Sequence, residues 1–359
     1  MKKMYVATLL VAAMSGAAFA GDEETGTPKA DRHYFSVQAF YPVSTNKSKD
    51  DFTYANFTLA YGRIGEVRGV DLSYGLSLVG RGLTGFQGSC LLAYTAEDLK
   101  GAAGTGVGSV IGAGLYGAQG SGLFNWVGGD MVGAQGAGVV NVVRGKTKGF
   151  QAAGGVNLAR GEVDGFQVAP VNISGNMRGM QLGVVNMAGD VKGVQLGIVN
   201  ISKTMHGLPL GIVSISENGG MEAVAFGSSL TAANLGVRFR AGFVYTMLSA
   251  GGYNLDRDDD REKSVAGAFH LGARLPVSRF YLDADAGYVY LDNGAFAEMG
   301  ERDRTDRMAV QGRAVLGFRI TDSFSVFAGG GTSYIFDADG AFRDGEFEPL
   351  YLGGIAYQL

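Results

Sequence analysis

The residues from about Gly69 to Gly220 repeat one short phrase at a nearly fixed interval. Clear copies are GAQGAGVVNVV, GFQAAGGVNLA, GMQLGVVNMA and GVQLGIVNIS. The glutamines follow one another after 16, 16, 16, 14 and 14 residues, and they are Gln119, Gln135, Gln151, Gln167, Gln181 and Gln195. A period this short is too small for a pair of helices and suits one coil of a β-solenoid.

Small or apolar residues flank each glutamine and each asparagine, as Phe150 and Ala152 flank Gln151. This alternation predicts two short strands in each repeat, each with one buried face. The distance from glutamine to asparagine changes from six residues to five along the array. Within a continuous strand, a shift of one residue would move every later side chain to the opposite face. We therefore expect a corner between the two strands. Stacked coils would then place glutamine over glutamine and asparagine over asparagine, in amide ladders.

Longer alternating segments follow Gly220, and they are Leu235–Met247, Val265–Leu275, Phe280–Leu291, Met308–Ile320, Phe324–Phe336 and 351–359. Their lengths suit strands that cross a bilayer at a tilt, which takes about 9–11 residues or a little more. Short turns alternate with long charged loops, as in outer-membrane barrels. The sequence therefore predicts an all-β chain in which a solenoid is inserted in a small antiparallel barrel of outer-membrane type.

The predicted organisation has five parts. Residues 1–20 are a signal peptide, 21–33 a flexible leader, 34–61 a first barrel hairpin, 62–220 the solenoid and 221–359 the remaining barrel strands. Two strands before the array and six after it make a barrel of eight, and a weak segment at Glu222–Ser228 would raise the number to ten. The rival architecture makes each repeat one wall strand of a barrel near eighteen strands, but the change in glutamine-to-asparagine distance argues against it.

The first twenty residues carry Lys2 and Lys3, then an apolar run, and end in the small-x-small sequence Ala18-Phe19-Ala20. This pattern is typical of a secretory signal peptide, so we expect export and a final location in the outer membrane. The net charge of −4 shows no nucleic-acid footprint. Cys90 is the only cysteine, and we expect it to be a small buried residue of a worn repeat.

Residues that could carry catalysis are scarce. The histidines His33, His206 and His270 lie far apart, and the sequence has no HxxxH, CxxC or GxSxG motif. Nucleophilic catalysis needs a positioned base beside a serine or threonine, and no such pair is evident. The carboxylates of Asp256–Asp260 alternate as in a calcium loop, but the central glycine and the glutamate at the twelfth position are missing. We therefore predict no enzyme activity, no cofactor and no metal.

Charged side chains alternate with apolar ones along the predicted barrel strands, and those assigned to the barrel lumen are Arg238, Arg240, His270, Arg274, Asp283, Asp285, Arg313 and Arg319. In a small barrel such groups are expected to pair and fill the lumen, because an unpaired buried charge is costly. The alternative is a charged path for a small solute.

The GxQxxGxxN-type repeats between barrel-like strands resemble those of a bacterial family of repeat-bearing outer-membrane and surface proteins. The exit segment GLPLGIVSISENGG (207–220) fits the same pattern, and the last strand is similar to the carboxy-terminal insertion signal of outer-membrane barrels, although it ends in leucine rather than phenylalanine. The resemblance implies no known activity.

We expect a non-enzymatic outer-membrane protein whose solenoid is a binding or scaffolding surface, with membrane lipid and an unidentified cell-envelope ligand as partners. The alternatives are solute transport and, less favoured, a lipid-modifying membrane enzyme.

Overall fold

The computed structural model describes residues 32–45, 51–253, 264–292, 307–338 and 345–359. The predicted signal peptide and the acidic segment 256–260 lie outside these residues. Within them, every helix or strand is a β-strand, which confirms the all-β fold. None of the described stretches forms a helix long and apolar enough to cross a membrane. The chain divides into two compact units, Met1–Gly193 and Val194–Leu359.

The first twenty strands build a β-solenoid of about 11 turns, in which almost all pairing is parallel. They are β1 (Arg32–Phe40), β2 (Val43–Ser44), β3 (Phe52–Ile64), β4 (Glu66–Ser73), β5 (Leu76–Val79), β6 (Leu83–Ser89), β7 (Leu92–Thr95), β8 (Leu99–Thr105), β9 (Gly108–Ile111), β10 (Leu115–Ser121), β11 (Phe124–Val127), β12 (Met131–Ala137), β13 (Val140–Val143), β14 (Thr147–Ala153), β15 (Val156–Val168), β16 (Val171–Leu182), β17 (Val185–Leu196), β18 (Val199–Met205), β19 (Leu208–Leu210) and β20 (Val213–Ser216).

Each coil runs strand, corner, strand, turn, as the sequence predicts. Gln135 pairs with Gln151 in the next coil, and Asn141 pairs with Asn157. The Gln151 side-chain amide donates to Oε1 of Gln135 over 2.9 Å, and the Asn141 amide donates to Oδ1 of Asn157 over 2.9 Å. The amide ladders are therefore confirmed. The rival barrel of about eighteen strands is wrong, because neighbouring repeats pair in parallel.

The interior of the solenoid is polar at one end of its cross-section and apolar at the other. In one coil, Gln135 and Asn141 point inward beside the corner, while Met131 and Val143 fill the opposite end. The apolar half is a continuous core over many coils. From Gln119 to Gln181 and from Asn125 to Asn186, each ladder amide is hydrogen-bonded to its counterpart in a neighbouring coil. These bonds make the polar half tolerable without access to water.

The predicted first barrel hairpin at 34–61 is wrong. Strands β1 and β3 pair in parallel, with Phe35 opposite Ala55 and Val37 opposite Phe57, and β3 pairs in parallel with β4 and β5. A hairpin requires antiparallel strands, so this segment is the opening part of the solenoid. The expectation that Cys90 is buried is also wrong, because its side chain is exposed at a corner.

A closed barrel of eight strands follows. Its strands are β21 (Gly220–Ser228), β22 (Ala233–Ala241), β23 (Val244–Tyr253), β24 (Ser264–Val277), β25 (Phe280–Asp292), β26 (Arg307–Arg319), β27 (Phe324–Asp337) and β28 (Glu346–Gln358). Sequential neighbours pair antiparallel, and β21 closes the ring on β28 with Glu222 opposite Gln358. The number eight is confirmed, but the members differ from those predicted.

Two local assignments account for that difference. The weak segment Glu222–Ser228 belongs to β21, a full wall strand. The predicted strand Leu235–Met247 is two strands, β22 and β23, joined by a tight turn at Gly242, whose φ is 62°. Apolar residues occupy the outer face before this turn and the lumen face after it. The apolar residues therefore keep a period of two along the sequence, and the turn is not visible in the pattern.

Candidate functional site

The barrel lumen brings together most of the predicted charged residues around one glutamate. Glu222 of β21 accepts hydrogen bonds from two arginines on other strands. Nη1 of Arg274 lies 2.7 Å from its Oε1, and Nη1 of Arg238 lies 3.1 Å from its Oε2. The three side chains are between 3% and 6% exposed. Strand alternation explains this placement, because all three occupy lumen-facing positions.

Asp283 of β25 completes the first cluster. It forms a bidentate pair with Arg274 of the neighbouring strand, with Nε to Oδ1 at 2.7 Å and Nη2 to Oδ2 at 2.9 Å. Nη1 of Arg238 lies 3.4 Å from the same carboxylate. The guanidinium of Arg274 also stacks 3.8 Å from the ring centroid of Tyr281. Fork-to-fork pairing and stacking hold the guanidinium in a single geometry.

A second cluster forms around Asp285. Arg313 of β26 donates to it with Nε at 2.7 Å and Nη2 at 3.1 Å, and the Tyr245 hydroxyl donates over 2.5 Å. Nearby, Nε2 of His270 lies 3.1 Å from Oε1 of Gln311. The lumen charges are therefore paired within the wall itself, which is the arrangement that the cost of buried charge requires.

Two predicted members lie at the rim. Arg240 is partly exposed; its Nη2 donates to the carbonyl of Gly219 over 2.8 Å, and its Nε lies 3.6 Å from Glu222. Arg319, the last residue of β26, is exposed and donates to the carbonyl of Ser278 over 2.7 Å. Arg319 does not join the network, because its strand ends there and water solvates its charge.

Sequence reasoning missed Glu222 and Tyr245. The surplus of arginines over acids among the predicted lumen residues was the available signal that a carboxylate was lacking. Glu222 lies in the weak segment Glu222–Ser228, for which the sequence shows no partner strand. In the alternation of Leu235–Met247, Tyr245 falls on the face opposite Arg238 and Arg240, and the turn at Gly242 brings it to the lumen instead.

Apolar side chains fill much of the remaining lumen, and they include Val224, Phe226, Met247, Val315, Phe327, Leu350 and Leu352. A cavity of about 220 Å³ opens at the rim between Arg240, Arg274 and Arg319. A separate cavity of about 10 Å³ lies beside His270 and Gln311. That is no more than about one water molecule.

The outer wall of the barrel has the opposite character. Large apolar side chains are exposed along it, and they include Leu235, Phe243, Leu248, Leu271, Leu275, Val277, Phe280, Leu282, Tyr288, Tyr290, Val310, Leu316, Ile320, Tyr351, Ile355 and Tyr357. A contiguous apolar exterior of this extent marks an interaction surface or a membrane-facing surface.

Among the described residues, no group of three or more His, Cys, Asp or Glu side chains is placed to hold a metal ion. No protein-family model matches the chain, and no curated protein is significantly similar to it. One solved structure, the N-terminal β-barrel domain of OprF from Pseudomonas aeruginosa, is 16% identical with a TM-score of 0.30. The match covers 39% of this chain and 98% of that domain. At this TM-score the similarity carries no argument about function.

Proposed function

We propose that the chain is a non-enzymatic outer-membrane protein whose closed barrel is the membrane anchor and whose solenoid is a binding or scaffolding surface. One observation carries the proposal: the barrel has an apolar outer wall and a lumen filled by paired charges and apolar side chains. A soluble barrel would face water with polar residues, whereas a membrane barrel faces lipid with apolar ones. An eight-stranded barrel of this kind encloses no aqueous channel.

The strand order supports one orientation. The barrel begins at Gly220 and ends at Gln358 on the same rim, beside the tight turn at Gly242. Outer-membrane barrels place their short turns on the periplasmic side. We propose that this rim is periplasmic and that the solenoid, which enters the barrel there, is periplasmic too, where it is available to cell-envelope partners.

Reconstitution of the full chain tests the anchor function. We expect the refolded protein to float with lipid vesicles, to fractionate with outer membranes from cells, and to give no steady current in planar bilayers. Failure to associate with lipid or with the outer-membrane fraction would refute the membrane assignment.

Transport of a small solute is the second candidate, and the rim cavity between Arg240, Arg274 and Arg319 is the observation that favours it. The two functions differ in conductance. A steady open current whose selectivity changes in Arg238→Ala or Asp283→Ala would establish the pore and contradict the closed barrel. Vesicle flotation measured on the same samples shows whether each variant has inserted.

A further inference from the structure

The outer surface of the solenoid is uniformly apolar on the side of the corner between the two strands of each coil. We call this surface the apolar side. It consists of the residues before and after each ladder glutamine, the corner residue, and the residues before and after each ladder asparagine, or their equivalents in the worn coils. None of these positions is charged in any coil from Asp71 to Pro209. The corner residues are Gly75, Leu91, Val107, Leu123, Val139, Gly155, Pro170, Val184, Ile198 and Ile212.

These corner side chains are not covered by the rest of the chain that the structure describes. Leu123 is 50% exposed, Val139 46% and Ile198 50%. Charged side chains lie instead toward the opposite end of the cross-section, and they include Arg81, Glu97, Asp98, Asp130, Arg144, Lys146, Arg160, Glu162, Asp190 and Lys203. We call this surface the charged edge. Each coil is therefore amphipathic across its width.

The backbone of the apolar side suits an environment without water. At the corners, the N–H of Leu123 donates to the carbonyl of Val107 over 2.8 Å, and the N–H of Val139 donates to the carbonyl of Leu123 over 2.9 Å. Beside these corners, the inward-pointing amide of Asn125 donates to Asn141, and that of Asn141 donates to Asn157. A surface that contacts acyl chains must have its backbone groups paired internally, and this surface meets that condition.

Within the second compact unit, Val194–Leu359, the apolar side of the last coil contacts the outer wall of the barrel. Thr246 follows the lumen-facing Tyr245 in β23, so its side chain points to the outer wall. It is fully buried there, and its hydroxyl donates to the carbonyl of the corner residue Ile212 over 2.7 Å. The last coil thus packs against the outside of the barrel near the short-turn rim, beside the exposed Phe243 and Leu248. In this unit the apolar corner and the apolar barrel wall are continuous.

We propose that the apolar side of the solenoid contacts the acyl chains of the proposed membrane, with the charged edge in water. The inference rests on the proposed membrane function of the barrel and names lipid acyl chains as the partner of the solenoid. Apolar residues exposed over so many coils exceed the patches that soluble monomers usually leave open. Continuity with the barrel wall favours lipid over a second copy of the chain.

Tryptophan quenching by lipids brominated on their acyl chains tests this contact in the full chain. Trp126 is the only tryptophan, and it follows the ladder residue Asn125 on the apolar side. The native protein therefore carries its own reporter. Three further reporters are made in a Trp126→Phe background: Ile198→Trp on the apolar side, Lys203→Trp on the charged edge and Leu282→Trp on the barrel wall. All three replace exposed side chains.

We expect brominated phosphatidylcholine vesicles to quench native Trp126, Ile198→Trp and Leu282→Trp strongly, with little loss of emission for Lys203→Trp. Quenching of Leu282→Trp alone would overturn the lipid contact and leave the barrel anchor intact. If Ile198→Trp is then blue-shifted but unquenched, a second protein copy covers the surface instead. Absence of quenching for Leu282→Trp would refute the barrel anchor, and the inference would fall with it.

Discussion

At the scale of single residues, the glycine two positions before each ladder glutamine sets the geometry of the coil. Gly133 has a φ of 135°, a value that L side chains rarely adopt. A Cβ at this glycine would lie 1.9 Å from the carbonyl oxygen of Gly117 in the preceding coil. The glycine of the GxQ sequence is therefore required for two reasons: its positive φ and the close approach of the preceding coil.

Gly133→Ala is expected to lower the free energy of unfolding by about 2–5 kcal/mol, because it adds backbone strain and a backbone collision. Gly136→Ala in the same strand is the matched control, since nothing lies within 4 Å of its Cβ position. Urea unfolding followed by circular dichroism measures both. Equal effects of the two substitutions would contradict the stacking argument.

Asp71 takes the place of a ladder glutamine and is fully buried. Burial raises the pKa of its carboxyl, while hydrogen bonds from Ser77, Asn56 and Gln87 oppose that shift. A carboxyl whose pKa is raised by folding favours the folded state when protonated, and that contribution is lost as the pH rises above the pKa of the unfolded chain, about 4.

We therefore expect Asp71→Asn to gain stability relative to the wild type as the pH is raised from about 4 to 8. Urea midpoints at a series of pH values measure the difference. Asp164→Asn, at an exposed position, is measured in parallel as the control. A difference that shrinks with rising pH would contradict the raised pKa.

At the scale of elements, the amide ladder links strands of successive coils. Gln151 donates to Gln135 and accepts from Gln167, each over 2.9 Å. Gln151→Leu removes both bonds and leaves one acceptor and one donor unsatisfied in the interior. We expect a loss of about 2–5 kcal/mol in unfolding free energy, since each such group costs about 1–3 kcal/mol. Phe150→Leu, on the outer face, should change the same urea midpoint only slightly.

The barrel strands are held together by a different kind of contact, in which an aromatic ring on one strand packs over a glycine on the neighbouring strand. A Cβ on Gly317 would lie 2.0 Å from the ring of Tyr281, which itself stacks under Arg274. We expect Gly317→Ala to destabilise the barrel by about 1–3 kcal/mol. In the same strand Gly312→Ala meets nothing within 4 Å and should be neutral in the same unfolding measurement. The packing argument fails if Gly312→Ala costs as much.

At the scale of the whole molecule, both ends of the barrel lie at one rim, so the segment that enters the barrel and the carboxy terminus are on the same side of the proposed membrane. An epitope tag inserted at Gly145, in a turn at the charged edge, should bind no antibody on intact cells and should bind after permeabilisation of the outer membrane. Antibody binding to intact cells would contradict the proposed orientation and place the tag outside the cell. A tag at the carboxy terminus should behave in the same way.

The sequence by itself determined the solenoid. The period is nearly fixed, a glycine lies two positions before each ladder glutamine, and two alternating stretches flank a corner. These features leave few other ways to pair the strands, because each coil repeats the same local requirements. The lumen charges also followed from alternation along single strands: Arg238, Arg274, Asp283, Asp285 and Arg313 lie where the pattern placed them.

Only the tertiary structure decided which strands close the barrel. Alternation is the same in a solenoid strand and in a wall strand, so residues 34–61 could not be assigned from their pattern, whereas their parallel pairing assigns them at once. The turn at Gly242 changed the face of the chain without breaking the apolar alternation. Glu222 became the centre of the network through partners 16 and 52 residues away, and long-range pairing of that kind depends on closure of the sheet rather than on local sequence.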